Sequence, residues 1–391
     1  MGGFLSWLAI PRRARPNGEH ALGTLRMRLP PGPGGNGAQG LMAQIHYPAD
    51  VSAPRLAVDA VPWFRAEVLK HIAEGSGIPL MVLNSVLRGV KQLDPSYAPQ
   101  KPNGDGWPLV IFSSGLWGCC EMYTQLCREI ASAGAIVVAI EHEDGSGIYA
   151  QNAKTGETIP YNEPPPDWMK SSDAAIADFR HPFLEQHAAE ITATVATLVA
   201  AAQGMAGQAV EDMEASDGAL AAVLRYGDPE HLVLVGHSFG AAGVVRYLRH
   251  LRERRQRYPC TGVLLMDAWM QPLVAEDIDY GVQVPFALLQ SETWGVSDGL
   301  NTMVRASGPN FLGGWSVVGT LHQWVSESHF FGPRWLLRRN GVMGPGKYAR
   351  YAHATFNMTI LIIRTLLEPS LGAQLCERAE SINPDVLIAM L

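Results

Sequence analysis

The stretch Leu232-Val-Leu-Val-Gly-His-Ser-Phe-Gly-Ala-Ala-Gly243 carries the strongest structural signal in this chain. Its first four residues are apolar and uncharged, which is typical of a short strand buried on both faces. Ser238 follows in the pattern G-x-S-x-G, and the small residues after it are typical of the first turn of a helix. Such a sharp strand-to-helix turn holds a hydroxyl clear of the sheet, at a helix N-terminus that favours negative charge. The stretch therefore predicts that Ser238 is a nucleophile; a structural turn serine is the alternative.

A second copy of the pattern shows that G-x-S-x-G is weak evidence by itself. Gly295-Val-Ser-Asp-Gly299 fits the pattern equally well. No apolar strand directly precedes this copy, and Leu-Asn-Thr-Met follows it instead of small residues. We therefore predict that Ser297 lies in a loop, and we prefer Ser238 as the nucleophile.

The composition of the whole chain limits its function class. The 391 residues carry a formal net charge of −7, so the chain lacks the basic field of a protein that binds nucleic acid. Five cysteines form no C-x-x-C pair, which favours free thiols in a reducing compartment. No apolar run approaches the ~20 residues of a membrane-spanning helix. We expect a cytoplasmic globular protein without a nucleic-acid partner.

The N-terminus is a candidate for lipid attachment. Met1-Gly-Gly-Phe-Leu-Ser6 fits the N-myristoylation pattern, and three arginines lie between positions 12 and 15. One acyl chain with a few basic residues forms a reversible membrane anchor. Gly2 is therefore the lipidation candidate, and a frayed terminus is the alternative. The apolar residues 4–10 lack the basic flank and cleavage site of a secretory signal.

Apolar runs alternate with helical patterns along the rest of the chain, which predicts an α/β fold with one mostly parallel sheet and helices on both faces. We assign residues 1–40 to an N-terminal tail and loop. Residues 41–391 form a single predicted domain with lid-like insertions at about 55–107 and 146–215. The first insertion has a helical pattern over 57–90; packing on the sheet is the simpler interpretation, and a surface resting on lipid is the alternative.

Three residues stand in the chain order that α/β hydrolases use for nucleophile, acid and base. Ser238 is followed by Asp267 at the end of an apolar strand and by His322 in a loop after a later strand. A serine needs an imidazole to take its proton, and a carboxylate orients that imidazole. This order predicts an α/β-hydrolase fold with a Ser-His-Asp triad. The weaker candidates are the carboxylates Asp277, Asp279, Glu292 and Asp298 and the histidines His237, His329 and His353.

Two further segments bear on the site. The glycine-rich turn 113–118 follows an apolar strand, where α/β hydrolases place an oxyanion-hole donor. The acidic cluster 141–144 contains one histidine but lacks a matched ligand set, so it predicts a polar strand end rather than a metal site. We predict neither a metal nor a cofactor.

Five stretches resemble the plasma and type II intracellular family of platelet-activating-factor acetylhydrolases. They cover 108–116, 138–146, 235–242, 265–273 and 319–323. Asp267-Ala-Trp-Met and His322-Gln are far more specific elements than G-x-S-x-G. The resemblance extends over about residues 41–367. It implies an α/β-hydrolase fold and a calcium-independent phospholipase A2, a serine esterase acting on 1-alkyl-2-acetylglycerophosphocholine.

The resemblance also implies what the enzyme acts on and where it is found. Its substrates would be phospholipids, including platelet-activating factor, from which acetyl and other short or oxidised sn-2 acyl groups are released through an acyl-enzyme. Type II members are intracellular and myristoylated, which implies acylation of Gly2 and reversible association with membrane surfaces. No protein partner is inferred.

The resemblance assigns roles to individual residues. Ser238 matches the nucleophile, Asp267 the acid and His322 the base, and the backbone N–H groups of Leu116 and Phe239 match the oxyanion hole. Substrate contacts are expected at Trp117, Trp269 and Gln323.

Two positions depart from the family pattern. Ser114 stands where the family has histidine, and Trp117 replaces a glycine. Since Trp117 adds bulk beside the expected oxyanion hole, it bears on which acyl group fits rather than on the reaction. A carboxylesterase for soluble short-chain esters remains the alternative function. A hydrolase-fold binding protein is a third, against which the intact Ser-Asp-His order argues.

Overall fold

The elbow predicted at Ser238 lies in the middle of the sheet of the computed structural model, which describes residues 16–30, 40–56, 61–87, 92–166, 172–204, 215–383 and 385–390. Gly2 lies outside these residues. The strands are β1 (Leu22–Arg28), β2 (Met42–Pro48), β3 (Trp107–Ser113), β4 (Ile136–Ile140), β5 (Ala150–Gln151), β6 (Thr158–Ile159), β7 (Gly227–His237), β8 (Gly262–Met266), β9 (Phe286–Ser291), β10 (Phe311–Val317) and β11 (Leu387–Ala389).

The helices follow the same order along the chain. They are α1 (Ala66–Ser76), α2 (Leu80–Val86), α3 (Thr124–Ser132), α4 (Asp173–Ala202), α5 (Ala215–Leu224), α6 (Phe239–Glu253), α7 (Ala275–Tyr280), α8 (Asp298–Ser307), α9 (Arg334–Arg339), α10 (Tyr348–Leu367) and α11 (Leu375–Ile382). None of the helices in the described segments is long and apolar enough to cross a membrane.

In the described part of the chain, nine strands form one sheet in the order β1-β2-β4-β3-β7-β8-β9-β10-β11. Within this order, the six consecutive strands β4, β3, β7, β8, β9 and β10 pair parallel with one another. Strands β1, β2 and β11 pair antiparallel at the two edges. The mostly parallel sheet predicted from the sequence is therefore confirmed.

Apolar side chains cover both faces of this sheet. In β7, Val233 and Val235 belong to the core beneath α3 and α10, whereas Leu232 and Leu234 belong to the core beneath α4 and α6. All four are essentially inaccessible to solvent. Burying a side chain of this size stabilises the fold by about 1.5–3 kcal/mol. The predicted helices on both faces are confirmed.

Two expectations about the N-terminal tail and the second insertion need correction. Strand β1 lies within residues 1–40, where a tail and loop were expected, and pairs with β2 along its whole length. Its polar residues hide the strand pattern because they are buried with partners; for example, Thr24 hydrogen-bonds the His46 ring at 3.1 Å. In the second insertion, α4 packs on α6 and the sheet rather than forming a lid.

The second G-x-S-x-G serine lies in a loop, as predicted. Ser297 has an extended backbone directly before α8 and is the N-cap of that helix, where its hydroxyl accepts the Leu300 N–H at 3.2 Å. Serine is a preferred N-cap because its side chain satisfies an N–H of the first helical turn.

Candidate active site

The serine of the central motif has the backbone of a strained elbow. Ser238 has φ 56° and ψ −118°, a left-handed conformation that non-glycine residues rarely adopt. A Cβ on Gly236 would lie 2.6 Å from Cα of Ala241, and one on Gly240 would lie 2.3 Å from the Ser113 carbonyl oxygen. Both glycines are therefore required for the helix and the neighbouring strand end to approach the turn.

The structure brings the three predicted catalytic side chains into one hydrogen-bonded chain. Oγ of Ser238 lies 2.9 Å from Nε2 of His322, and Nδ1 of His322 lies 2.9 Å from Oδ2 of Asp267. Because an ionised carboxylate only accepts, Nδ1 carries the proton and Nε2 is free to accept the serine proton. Asp267 is fully buried, whereas the His322 side chain is 26% exposed.

The Asp267 carboxylate is held by a residue that sequence reasoning missed. Ser291 donates its N–H to Oδ1 at 2.6 Å and its hydroxyl to Oδ2 at 2.7 Å. Ser291 ends β9, the strand next to β8, so the carboxyl ends of neighbouring parallel strands meet here. The apolar run at 286–289, which ends two residues before Ser291, is the sequence signal that could have pointed to this position.

The ring of His322 is held by stacking as well as by hydrogen bonds. The Trp294 indole stacks on it with centroids 3.9 Å apart and planes 13° apart, and the Trp294 N–H donates to the Ala268 carbonyl at 3.1 Å. An aromatic face also stabilises the positive charge of an imidazolium. No sequence spacing points to Trp294, since only the fold places it against His322.

Two backbone N–H groups are available where the oxyanion hole is predicted. Around the turn, the N–H groups of Gly115 and Trp117 donate to other groups, whereas that of Leu116 has no acceptor among the described residues. Phe239 is the first residue of α6, where an N–H has no intrahelical acceptor. The assignment of Leu116 and Phe239 to an oxyanion hole stays a prediction.

Two of the three expected substrate-contacting residues share a cavity. Trp117 and Gln323 line an apolar cavity of about 240 Å³, together with Ile72, Met122 and Phe331. Trp269 does not line this cavity; its backbone N–H donates to the Ser238 carbonyl at 3.3 Å, and its ring lies 6.1 Å from that of Phe239. Trp117 has φ 62°, so the residue that departs from the family pattern adopts a left-handed backbone.

The acidic cluster 141–144 joins a buried hydrogen-bond network. The Ser113 hydroxyl lies 2.9 Å from Nε2 of His142 and 2.9 Å from Nε2 of His187. The other nitrogens of these rings reach Glu190 Oε2 and Asp144 Oδ2, each at 2.8 Å. The cluster thus links the ends of β3 and β4 to α4. It forms a polar strand end, as the sequence predicts.

One group in the described chain has the residue types and spacing of metal ligands. Ligand atoms of His237, Asp267 and His322 all lie within 4.8 Å of one another. All four ring nitrogens of these histidines, however, hydrogen-bond to protein atoms. The arrangement therefore fits proton transfer better than metal coordination.

Comparison with known proteins identifies the family. A family model described as platelet-activating factor acetylhydrolase, isoform II, matches residues 15–352. The chain belongs to this family. Platelet-activating factor acetylhydrolase of Bos taurus is 29% identical over 191 residues, which cover 48% of this chain and 41% of that protein. The Gallus gallus protein of the same name is 26% identical over 294 residues, covering 70% and 64%. The chain thus matches about half the length of these relatives.

A solved structure supports the fold. The ferulic acid esterase from Streptomyces cinnamoneus aligns with a TM-score of 0.59 and 16% identity, over 91% of this chain and 92% of that one. At this identity the likeness concerns the fold alone. With the strand order and the elbow, it confirms the predicted α/β-hydrolase fold.

Proposed function

We propose that this protein is a serine hydrolase that releases short or oxidised sn-2 acyl groups, such as acetyl, from phospholipids including platelet-activating factor. The observation that carries the proposal is the unbroken chain from Ser238 through His322 to Asp267 at the elbow. Family membership supports the substrate class.

The geometry supports a two-stage reaction. His322 takes the Ser238 proton as Oγ attacks the sn-2 carbonyl carbon, and the N–H groups of Leu116 and Phe239 stabilise the oxyanion. The intermediate collapses to an acyl-enzyme, and the departing lysophospholipid oxygen receives the proton from His322. Water, deprotonated by His322, then attacks the acyl carbon. Collapse releases the carboxylic acid, and the proton returns to Ser238. Asp267 stays ionised and stabilises the imidazolium.

The apolar cavity is the proposed site for the acyl group. Trp117 and Gln323 follow Leu116 and His322 directly in sequence, so this cavity adjoins the proposed oxyanion hole and base. The Trp117 indole packs so closely on α1 that a Cβ on Gly75 would lie 2.0 Å from it. The contact makes Trp117 a fixed wall, which favours short acyl groups.

An exposed apolar segment beside the cavity favours a phospholipid at a membrane surface over a dissolved ester. Leu80, Met81 and Val82 begin α2 and are all exposed, Met81 at 81%. Ile78, two residues earlier, lines the cavity. Adjacent exposed apolar residues mark surfaces that contact protein or lipid. We propose that this segment rests on the lipid surface and that Gly2 acylation contributes to reversible attachment of a cytoplasmic enzyme.

The proposal is tested by acetate release from vesicles of an sn-2-acetyl ether phospholipid, compared with fatty-acid release from its long-chain diacyl counterpart. We expect fast, acetyl-selective release that Ser238→Ala abolishes. Ser297→Ala, at the other G-x-S-x-G serine, is the matched control and should keep full activity. Hydrolysis of a dissolved nitrophenyl ester without hydrolysis of either lipid would replace the proposal by a soluble carboxylesterase. Loss of all Ser238-dependent hydrolysis would leave a binding protein.

The lipid contact is tested on the same substrates. Met81→Ser should lower the rate on vesicles severalfold and leave the rate on the dissolved ester unchanged. Val51→Ser removes an exposed valine from another part of the surface and serves as the control. Equal effects of the two substitutions on vesicles would contradict a specific lipid-facing role of α2.

A further inference from the structure

The residue before the elbow serine connects two parts of the site. His237 is buried, and its Nε2 lies 3.0 Å from the carbonyl oxygen of His322. Its Nδ1 lies 3.0 Å from the hydroxyl of Tyr123, which in turn lies 3.2 Å from the N–H of Gly115. One line of hydrogen bonds therefore runs from the turn that carries Leu116 to the backbone of His322.

The direction of each hydrogen bond follows from the groups involved. A carbonyl oxygen only accepts, so Nε2 of His237 carries the proton and Nδ1 does not. Nδ1 then accepts from the Tyr123 hydroxyl, whose oxygen accepts the Gly115 N–H. Burial, reinforced by the neighbouring His322, lowers the pKa of His237 well below its usual value, so the ring is neutral. Every polar group in the line is satisfied in this one arrangement.

The same line supports the orientation of the imidazole of His322. The rings of His237 and His322 stack with centroids 4.7 Å apart and planes 30° apart. His322 is thus held through its carbonyl oxygen and its ring face by one neighbour. A misplacement of about 1 Å in such a group lowers turnover by about 10²-fold.

We propose that Tyr123 and His237 are positioning residues that hold the turn 113–118, which carries Leu116, in a fixed position relative to the base His322. This inference rests on the proposed function. Tyr123 donates to Nδ1 of His237 and so reinforces the tautomer that the His322 carbonyl oxygen selects. Without the Tyr123 hydroxyl, Nδ1 is a buried acceptor without a donor, and the ring is fixed through Nε2 alone. The hydrogen bond from His237 then holds the His322 backbone less firmly. At the same time the Gly115 N–H loses its acceptor.

The chain offers a matched control for removing the Tyr123 hydroxyl. Tyr351 is equally buried, and its hydroxyl has no hydrogen-bond partner among the described residues. Tyr123→Phe and Tyr351→Phe therefore delete the same atom, once with and once without hydrogen bonds to the site. The pair separates positioning from a general effect of losing a buried hydroxyl.

The experiment measures kcat and KM of the full chain on dissolved nitrophenyl acetate, beside the unfolding temperature. We expect Tyr123→Phe to lower kcat about 10- to 100-fold with KM within about twofold, and Tyr351→Phe to leave both unchanged. An equal kcat for the two variants, or a change in KM only, would overturn the positioning role.

Substitution of His237 provides a second test that does not depend on the folding of Tyr123→Phe. Gln places an N–H donor near the position of Nε2, whereas Leu does not, so His237→Gln should retain about tenfold more kcat than His237→Leu. Equal kcat values would again overturn the positioning role. A wild-type protein without Ser238-dependent hydrolysis would overturn the proposed function as well, whereas normal hydrolysis insensitive to these substitutions would overturn the positioning role only.

Discussion

Two Ser-His-Asp chains with nearly the same geometry lie in this molecule. In the elbow chain, Ser238 Oγ lies 2.9 Å from a histidine Nε2, and the Nδ1 of that ring lies 2.9 Å from Asp267. In the buried chain, Ser113, His187 and Asp144 repeat these contacts at 2.9 and 2.8 Å. Hydrogen-bond lengths therefore do not distinguish a site that can react from one that cannot.

The two serines differ in access and in hydrogen-bond partners. Ser113 ends β3 and is 1% exposed, and its hydroxyl is shared by two imidazoles, those of His142 and His187. Ser238 stands on the elbow, hydrogen-bonds one imidazole, and faces a partly exposed histidine. A nucleophile needs a free lone pair, access for substrate and nearby oxyanion donors. The elbow chain meets the first two requirements better than the buried chain, and its oxyanion donors are the ones predicted at Leu116 and Phe239.

The protons of the buried chain follow from its two carboxyl groups. Burial alone would raise the pKa of Asp144, but His187 lowers it to about 2, so this carboxylate accepts the His187 Nδ1–H. Burial and the charge of Asp144 raise the pKa of Glu190 well above its usual value, so Glu190 is protonated. Glu190 therefore donates to His142, His142 to Ser113, and Ser113 to His187. Every proton in the network has one acceptor.

The largest expected difference is between the two serines. Ser238→Ala should lower kcat for ester hydrolysis by about 10⁶-fold, because it removes the attacking atom. Ser113→Ala should keep kcat within about tenfold but lower the free energy of unfolding by about 1–3 kcal/mol, since two buried imidazoles lose their shared partner. Single-turnover kinetics and denaturant unfolding measure the two effects. A large kcat loss in a folded Ser113→Ala protein would show that the buried chain takes part in the reaction.

The second-largest expected difference is between the two aspartates, Asp267 and Asp144. Asp267→Asn should reduce turnover by about 10⁴-fold because an amide no longer selects the reactive tautomer of His322. Asp144→Asn should leave turnover within about tenfold and destabilise the fold by about 3 kcal/mol, because His187 loses its ionised acceptor. Turnover is compared at equal concentrations of folded protein. If Asp267→Asn loses less than tenfold, another carboxylate serves as the acid.

The smallest expected effect concerns Glu190. A glutamine matches a protonated glutamate, since its oxygen accepts from Gln186 and the Glu143 N–H while its amide donates to His142. Glu190→Gln should therefore change the free energy of unfolding at pH 7 by less than about 1 kcal/mol.

The protonation of Glu190 also predicts how the free energy of unfolding changes with pH. Because the folded-state pKa of Glu190 is raised, its stabilising contribution is complete below about pH 4.3 and is lost as the pH rises through the folded-state pKa. The decline of unfolding free energy with rising pH should be shallower in Glu190→Gln, as measured by urea unfolding between pH 5 and 9. Destabilisation by more than about 3 kcal/mol at pH 7 would instead indicate a charged pair with His142.

Much of the fold was predictable because its signals are local. The apolar run before Ser238 and the small residues after it specify a buried strand, a turn and a helix within one stretch. Strand β1 was missed because its polar residues Thr24, Arg26 and Arg28 are largely buried with partners, a circumstance that a local pattern does not reveal. Ser297 was placed correctly in a loop, but its role as the N-cap of α8 was not foreseen, because that role is visible only once the helix after it is recognised.

The candidate site also has a part that the sequence predicts and a part that only the fold reveals. Ser238 and Asp267 directly follow β7 and β8, and His322 lies in the loop after β10, so the sequence could suggest them from the order of the strands. Ser291 contacts Asp267 across 24 residues of chain, and Tyr123 contacts His237 across 114. Such contacts depend on which strand ends and helices become neighbours, and no spacing encodes them.

The sequence by itself determined the elbow, the mostly parallel sheet and the order of the predicted nucleophile, acid and base, because each depends on residue types within one segment or on the order of segments. Only the tertiary structure decided which of two serine–histidine–aspartate chains meets solvent and which is enclosed. The packing of β3, β4 and α4 encloses Ser113 and gives its hydroxyl two imidazole partners. The turn between β7 and α6 instead lifts the Ser238 hydroxyl clear of the sheet.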